Sequence, residues 1–216
     1  MDSKLQRRIV IIVAALLVMG AQKEALHTVS GTVTDATGSA APNAFVCAAP
    51  AEDTSIAGDL RWVQVDSNGR FRITLRPGRY VIRAKEEGEG YPDPSFLLSA
   101  DNGAVFPEVT VEESNLTGVL VALGARGGIL SGELRDNTNQ QPIPKGKVTI
   151  RDAERRDAFV EVTTNEEGRF RFAVPSKPLQ ISAAAPGYLA SRYGEGRTLI
   201  LSPGEHRSIV IELTRK

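Results

Sequence analysis

From residue 28 onward, apolar and polar residues alternate in short runs, and no apolar pattern of helical period lasts beyond two turns. Period-two alternation between turn signals is the mark of many short strands. Val29, Gly31 and Val33 share one face, followed by Ala44, Val46 and Ala48, then Val63 and Val65. Phe71, Ile73 and Leu75 form the next row, then Tyr80, Ile82 and Ala84, then Val109 and Val111, then Val119, Val121 and Leu123. Each strand has one apolar face, which is what two sheets packed face to face require.

The rows then recur. Val29-Ser30-Gly31-Thr32-Val33 matches Leu130-Ser131-Gly132-Glu133-Leu134, and Pro42 to Val46 matches Pro144 to Val148. Asn68 to Ile73 matches Glu167 to Phe172, Gly90-Tyr91 matches Gly187-Tyr188, and Val109 to Leu123 lies on Leu199 to Leu213. The offsets are 101, 102, 99, 97 and 90 residues. Loops of different length between persistent strands produce such a drift. The chain is therefore expected to be all-β, with two tandem seven-stranded sandwiches over 29–124 and 129–216 and a Gly-rich linker over 125–128. Glycines at 124, 127 and 128 suggest that the two units pivot about a small interface. Asp66-Ser67-Asn68-Gly69 and Asn165-Glu166-Glu167-Gly168 read as tight hairpin turns, and Arg76-Pro77-Gly78-Arg79 as another. Within the rows, Phe71 and Phe170 should point inward and Arg70, Arg72, Arg169 and Arg171 outward.

The order Gly31-Thr32-Val33-Thr34-Asp35, Pro42 to Val46, Asp66 to Phe71, Pro77 to Tyr80 and Gly90-Tyr91 resembles the carboxypeptidase regulatory-like domain. The second copy resembles it through Gly132 to Asp136, Pro144 to Val148, Gly168 to Phe170 and Gly187-Tyr188. The resemblance implies a transthyretin-like (prealbumin-like) sandwich, a fold shared with starch-binding-like modules. It also implies an accessory role on exported bacterial proteins, with no catalytic residues.

The N-terminus supports export. Lys4, Arg7 and Arg8 precede the apolar run Ile9 to Ala21, which has 13 residues. That is short for a bilayer span of roughly 20 residues and suits a signal peptide over 1–21. Residues 22–28 then form a linker. If the segment is not cleaved, it is the chain's one attachment to a membrane. Lys+Arg and Asp+Glu are equal at 26 each, so no charge excess draws the chain to nucleic acid. The expected location is secreted or periplasmic, including the cell surface.

Candidate chemistry is sparse. His27 and His206 are the two histidines, there is no Gly-x-Ser-x-Gly elbow, and His and Cys do not cluster, so neither a hydrolase triad nor a zinc site is expected. No cofactor is expected either. Aromatic residues able to stack on a ligand are Trp62, which alternates outward from Val63 and Val65, and the loop residues Tyr91, Tyr188 and Tyr193. Cys47, the single cysteine, should share the outer face with Phe45 as a half-covered thiol, free or in an intermolecular disulfide. The leading reading is an exported, non-catalytic structural or protein-interaction module of the bacterial cell envelope. The alternative is a carbohydrate-binding accessory protein, so the partner is a protein or a cell-surface glycan.

Overall fold

The structure, a computed structural model, describes residues 25–52 and 60–216. The expected signal peptide, residues 1–21, lies outside them. The first unit contains β1 (His27–Thr34), β2 (Phe45–Pro50), β3 (Val63–Gln64), β4 (Arg70–Leu75), β5 (Gly78–Lys85), β6 (Glu108–Val111) and β7 (Leu116–Ala122). The second contains β8 (Gly128–Asp136), β9 (Lys147–Asp152), β10 (Phe159–Thr163), β11 (Arg169–Val174), β12 (Leu179–Ala184), β13 (Ser191–Arg192) and β14 (His206–Leu213). Three short 3-10 turns, at 87–89, 97–99 and 193–196, are the only helical elements among the described residues.

Each unit is a sandwich of a three-stranded and a four-stranded sheet. The orders are β4-β1-β7 over β3-β2-β5-β6, and β11-β8-β14 over β10-β9-β12-β13. Adding seven to each strand number of the first unit gives the second, so the repeat extends from sequence to topology. β1 and β7 pair in parallel, as do β8 and β14.

The alternation places the core as expected. Phe71 and Phe170 are both buried, while Arg70, Arg72, Arg169 and Arg171 are exposed. Phe71 lies opposite Gly31, and Phe170 opposite Gly132. Opposite residues on neighbouring strands share a face. The missing side chain therefore leaves room for the ring, and a methyl group built on Gly132 would lie 2.6 Å from the Phe170 ring.

Two local expectations need correction. The turns at Asp66–Gly69 and Asn165–Gly168 do reverse the chain: Asp66 and Asn165 side chains each accept two backbone N–H groups, and Gly69 and Gly168 adopt φ of +72° and +69°. Yet β3 and β4 belong to different sheets, as do β10 and β11. The same holds for β4 and β5 across Arg76–Arg79. These turns are corners between sheets, not hairpins, because turn chemistry fixes the reversal and not the next pairing partner. Val109–Val111 forms a strand, but the matching Leu199–Leu201 keeps only one bridge, Leu179 to Leu199, and Ser191–Arg192 takes another part of that edge.

The linker also differs from expectation, since Gly124, Gly127 and Gly128 are buried. A methyl group on Gly127 would lie 1.9 Å from the Val174 carbonyl oxygen, and one on Gly128 2.5 Å from Leu201 Cβ. The glycines serve close packing instead of a pivot. Gly127 N–H donates to the Gly90 carbonyl at 2.7 Å, and Ala125 N–H to Asn102 at 2.6 Å. The segment 86–105 of the first unit lies against the second. There Leu98 is fully buried within the second unit's hydrophobic core, and Phe96 meets Phe172 edge to face at 5.7 Å. Arg155 pairs with Asp101, and Arg171 donates to the Gly88 carbonyl at 3.1 Å. Burying Leu98 contributes about 1.5–3 kcal/mol to this docking.

Candidate functional site

The four aromatic candidates do not form one platform. Trp62 precedes β3 in the first sandwich, and Lys85 Nζ lies 4.6 Å from its ring centroid. That cation occupies a face on which a sugar would stack. Lys85 is itself held by Glu87 at 3.3 Å and Asp93 at 3.6 Å. Tyr91 packs against the first core, and Tyr188 and Tyr193 pack against the second. Burial raises the Tyr91 phenol above its ordinary value.

Half-buried Tyr188 and the buried motif carboxylate Asp136 form a knot with exposed Arg215. The Tyr188 hydroxyl donates to Asp136 Oδ2 at 3.1 Å, Arg215 Nε donates to the same oxygen at 2.6 Å, and Thr138 N–H donates to Oδ1 at 2.8 Å. Arg215, then the Thr138 amide, outweigh burial and hold the carboxyl at about 2. The Gly-Tyr and Gly-x-x-x-Asp elements thus tie the C-terminal end of β8 to the end of the chain. Their role there is structural.

Cys47 does point to the face shared with Phe45, but it is fully buried, whereas Phe45 is 39% exposed. The half-covered thiol expected from alternation is therefore corrected. Alternation gives a direction and says nothing of what covers that face. Burial pushes the thiol up to about 11, so it is not a nucleophile at neutral pH. His27 begins β1 and exposed His206 begins β14, in different sandwiches.

A concavity with convergent arginine side chains lies elsewhere, on the outer face of the second sandwich's four-stranded sheet. It has a volume of about 480 Å³ and is lined by Arg151, Arg156, Gln180, Ser182 and Arg192, with Ala153, Ile181 and Gly196 completing the wall. Strand register explains the convergence. Arg151 on β9 lies opposite Phe159 on one side and Gln180 on the other. Ser182, two residues along β12, lies opposite Arg192 on β13. Leu179, Ile181 and Ala183 alternate inward, which turns Gln180 and Ser182 outward.

Arg156 comes from the β9–β10 connection. There Asp152 accepts the Glu154 and Arg155 amides, and Lys177 neutralises it at 3.0 Å. An Arg151 guanidinium nitrogen donates to the Arg156 carbonyl, and its Cζ stands 4.7 Å from the Phe159 ring centroid. None of the three arginines forms an ion pair with a carboxylate among the described residues. Sequence reasoning missed this group. The outward phase of Gln180 and Ser182 was legible, but Arg192 lies beyond the Gly187-Tyr188 loop, whose return path the pattern does not give.

Both halves of the chain match the carboxypeptidase regulatory-like domain, over residues 28–123 and 129–214. No curated protein matches the chain. Solved structures similar in fold include the Bacillus anthracis TIE protein, at 14% identity and a TM-score of 0.38, covering 88% of this chain and 34% of that one. A streptococcal ancillary pilin is similar at 14% identity and a TM-score of 0.35, covering 88% and 62%. The major pilin subunit BcpA of Bacillus cereus is similar at 10% identity and a TM-score of 0.33, covering 89% and 100%. The chain thus spans less than two thirds of the length of the first two. With both sandwiches matched, and with them nearly all of the described residues, the chain belongs to the carboxypeptidase regulatory-like domain family and carries that domain as a tandem pair.

Proposed function

We propose that the chain is an exported, non-catalytic structural module of the bacterial cell envelope, in which two sandwiches act as one stiff unit that presents surface to a partner. The observation that carries this reading is the seating of Leu98 from the first sandwich within the core of the second. A docked pair holds its surfaces at a fixed separation, whereas freely jointed modules do not. The basic residues Lys4, Arg7 and Arg8 followed by the apolar run to Ala21 support export. The perturbed groups support the absence of catalysis: Asp136 is spent on Arg215 and Tyr188, and Cys47 is sealed.

Two measurements test the proposal together. Fractionation of the native bacterial host should place the chain in the envelope or the exported fraction, and NMR relaxation should give both sandwiches one rotational correlation time. A cytosolic location, or two independent correlation times, would overturn it.

A further inference from the structure

Three guanidinium groups around one concavity repel one another and add nothing to a hydrophobic core. The equivalent face of the first sandwich shows that the fold does not need them. Register places Ala49 opposite Val81 there, where the second sandwich has Arg151 opposite Gln180. Ala49 and its neighbour Cys47 are buried, the nearby cation Lys85 is neutralised by Glu87 and Asp93, and Arg83, opposite Cys47, is a single guanidinium there instead of a group of three. The second sandwich keeps the same face open, basic and without carboxylate partners among the described residues.

We infer that the cavity formed by Arg151, Arg156 and Arg192 over Gln180 and Ser182 binds the carboxylate or sulfate groups of an acidic polysaccharide. A guanidinium presents a planar fork of donors that matches an oxyanion in two-pronged fashion. Arg151 is already set for this, because its bond to the Arg156 carbonyl and its stacking on Phe159 limit its rotamers. Pre-ordering reduces the entropy lost on binding. The Gln180 amide and the Ser182 hydroxyl each donate and accept, which suits the hydroxyls of a sugar ring. The cavity volume of about 480 Å³ falls within the range of small-ligand sites, roughly 300–1,000 Å³.

An acidic peptide fits less well. An extended peptide gains affinity by adding to a free strand edge. Of the sheet's two edges, β10 is met by the 97–99 turn of the first unit, and β13 is two residues long and is followed, after Tyr193, by Gly194 and Glu195, both at φ of +58°. Such an edge has little ladder to offer. The site lies wholly within the second sandwich, so its failure would leave the docked-module reading standing.

The test is equilibrium binding of the full chain, at low and high salt, to polygalacturonate, dextran sulfate, neutral dextran and poly-glutamate. At least one of the two acidic polysaccharides should bind, more weakly at high salt, and neutral dextran should not. Which one binds better separates a carboxylate from a sulfate preference. Arg192→Ala and Arg156→Ala should each lower the affinity roughly tenfold or more, as loss of charge-assisted hydrogen bonds does. Arg192→Lys should restore part of it. Arg72→Ala removes the same charge from the exposed face of the first sandwich and should change binding little. Thermal midpoints of the Arg192 variants should stay at the native value. The inference is overturned by no binding to either acidic polysaccharide at millimolar site concentration, by unchanged affinity in Arg192→Ala, or by poly-glutamate binding as tightly as the polysaccharides.

Discussion

The two sandwiches share a strand order and a phenylalanine laid over a strand glycine, and they diverge in what they do with their surroundings. The first gives up its segment 86–105, which leaves to pack on its neighbour and places Leu98 in the neighbour's core. The second receives that segment beside β10 and β11 and keeps an open, arginine-lined face on its four-stranded sheet. On the corresponding face of the first, Cys47 and Ala49 are covered, Lys85 is neutralised, and Arg83 is a single guanidinium instead of a group of three. A duplicated fold has thus been divided, with one copy contributing the brace and the other a concavity lined by three arginines. Shared strands carry the fold, and the difference lies in loops and outward residues, where variation disturbs no core.

The comparison is tested most strongly at the shared phenylalanines. Phe71→Ala and Phe170→Ala each remove a buried ring and should cost about 3–5 kcal/mol. They should nevertheless differ in reach. Phe170→Ala weakens the core that holds Leu98, so hydrogen exchange should accelerate both in β8 to β14 and in segment 86–105. Phe71→Ala should leave β8 to β14 protected. Arg72→Ala, at an exposed position, should move stability by only about 0.5 kcal/mol, and Arg171→Ala by about 0.5–1.5 kcal/mol because it also gives up the bond to the Gly88 carbonyl. Equal effects of Phe and Arg changes would show that the strand phase is wrong.

The next test is the brace itself. Leu98→Ala should cost about 2–5 kcal/mol, as truncation of a fully buried leucine does. The loss should appear in the second sandwich although the residue belongs to the first. Calorimetry should show one cooperative transition for the native chain and two for Leu98→Asp, which places a charge in an apolar core. Two transitions in the native chain would show that the sandwiches are energetically independent.

These expectations mark where the sequence was legible. The rows through Phe71 and Phe170 could be read because the pleat of a sheet imposes a period of two and burial then selects one phase. Which sheet each strand joins could not be read at Asp66–Gly69 or Arg76–Arg79, since a turn residue senses only its own dihedrals. The brace did leave a trace. The repeat offset falls from 97 at Gly90-Tyr91 to 90 at Val109, so the first copy is seven residues longer in the stretch that contains Phe96-Leu97-Leu98. The extra apolar residues signalled a use outside the repeat without naming the surface they would meet. The arginine cavity was less legible still, because Arg156 and Arg192 come from connections whose paths are tertiary.

A smaller difference separates the two motif carboxylates under acid. Asp136 is held at about 2 by Arg215, the Thr138 amide and Tyr188, against an ordinary value of 3.8. Asp35 in the first sandwich is lowered by the Thr37 hydroxyl and local amides, with no arginine among its causes. A depressed carboxylate favours the folded state when ionised. Its stabilisation is therefore complete above the unfolded value of 3.8 and is lost as pH falls toward about 2. Thermal midpoints measured across that window should fall more steeply for the native chain than for Asp136→Asn. Asp35→Asn should flatten the curve less. A native profile unchanged by Asp136→Asn would deny the knot its role.

The smallest effect separates two buried hydroxyls, one in the brace and one in the receiving sandwich. Thr164 Oγ1 donates to the Ile143 carbonyl at 2.8 Å and accepts from Gly146 N–H at 2.9 Å. Ser99 Oγ, one residue past Leu98, is buried and meets no donor or acceptor among the described residues. Leaving a buried polar group unpaired costs about 1–3 kcal/mol, whereas removing one that was already unpaired relieves that cost. Thr164→Ala strands the Gly146 amide and the Ile143 carbonyl and should destabilise by about 1–3 kcal/mol. Ser99→Ala exchanges the stranded hydroxyl for a hydrogen at nearly constant shape, and should leave stability unchanged or raise it by up to about 1 kcal/mol. Chemical denaturation of both variants reads the contrast directly. A loss of more than about 1 kcal/mol in Ser99→Ala would mean that the hydroxyl has a hydrogen-bond partner in solution, and that the brace is held by a polar contact as well as by Leu98.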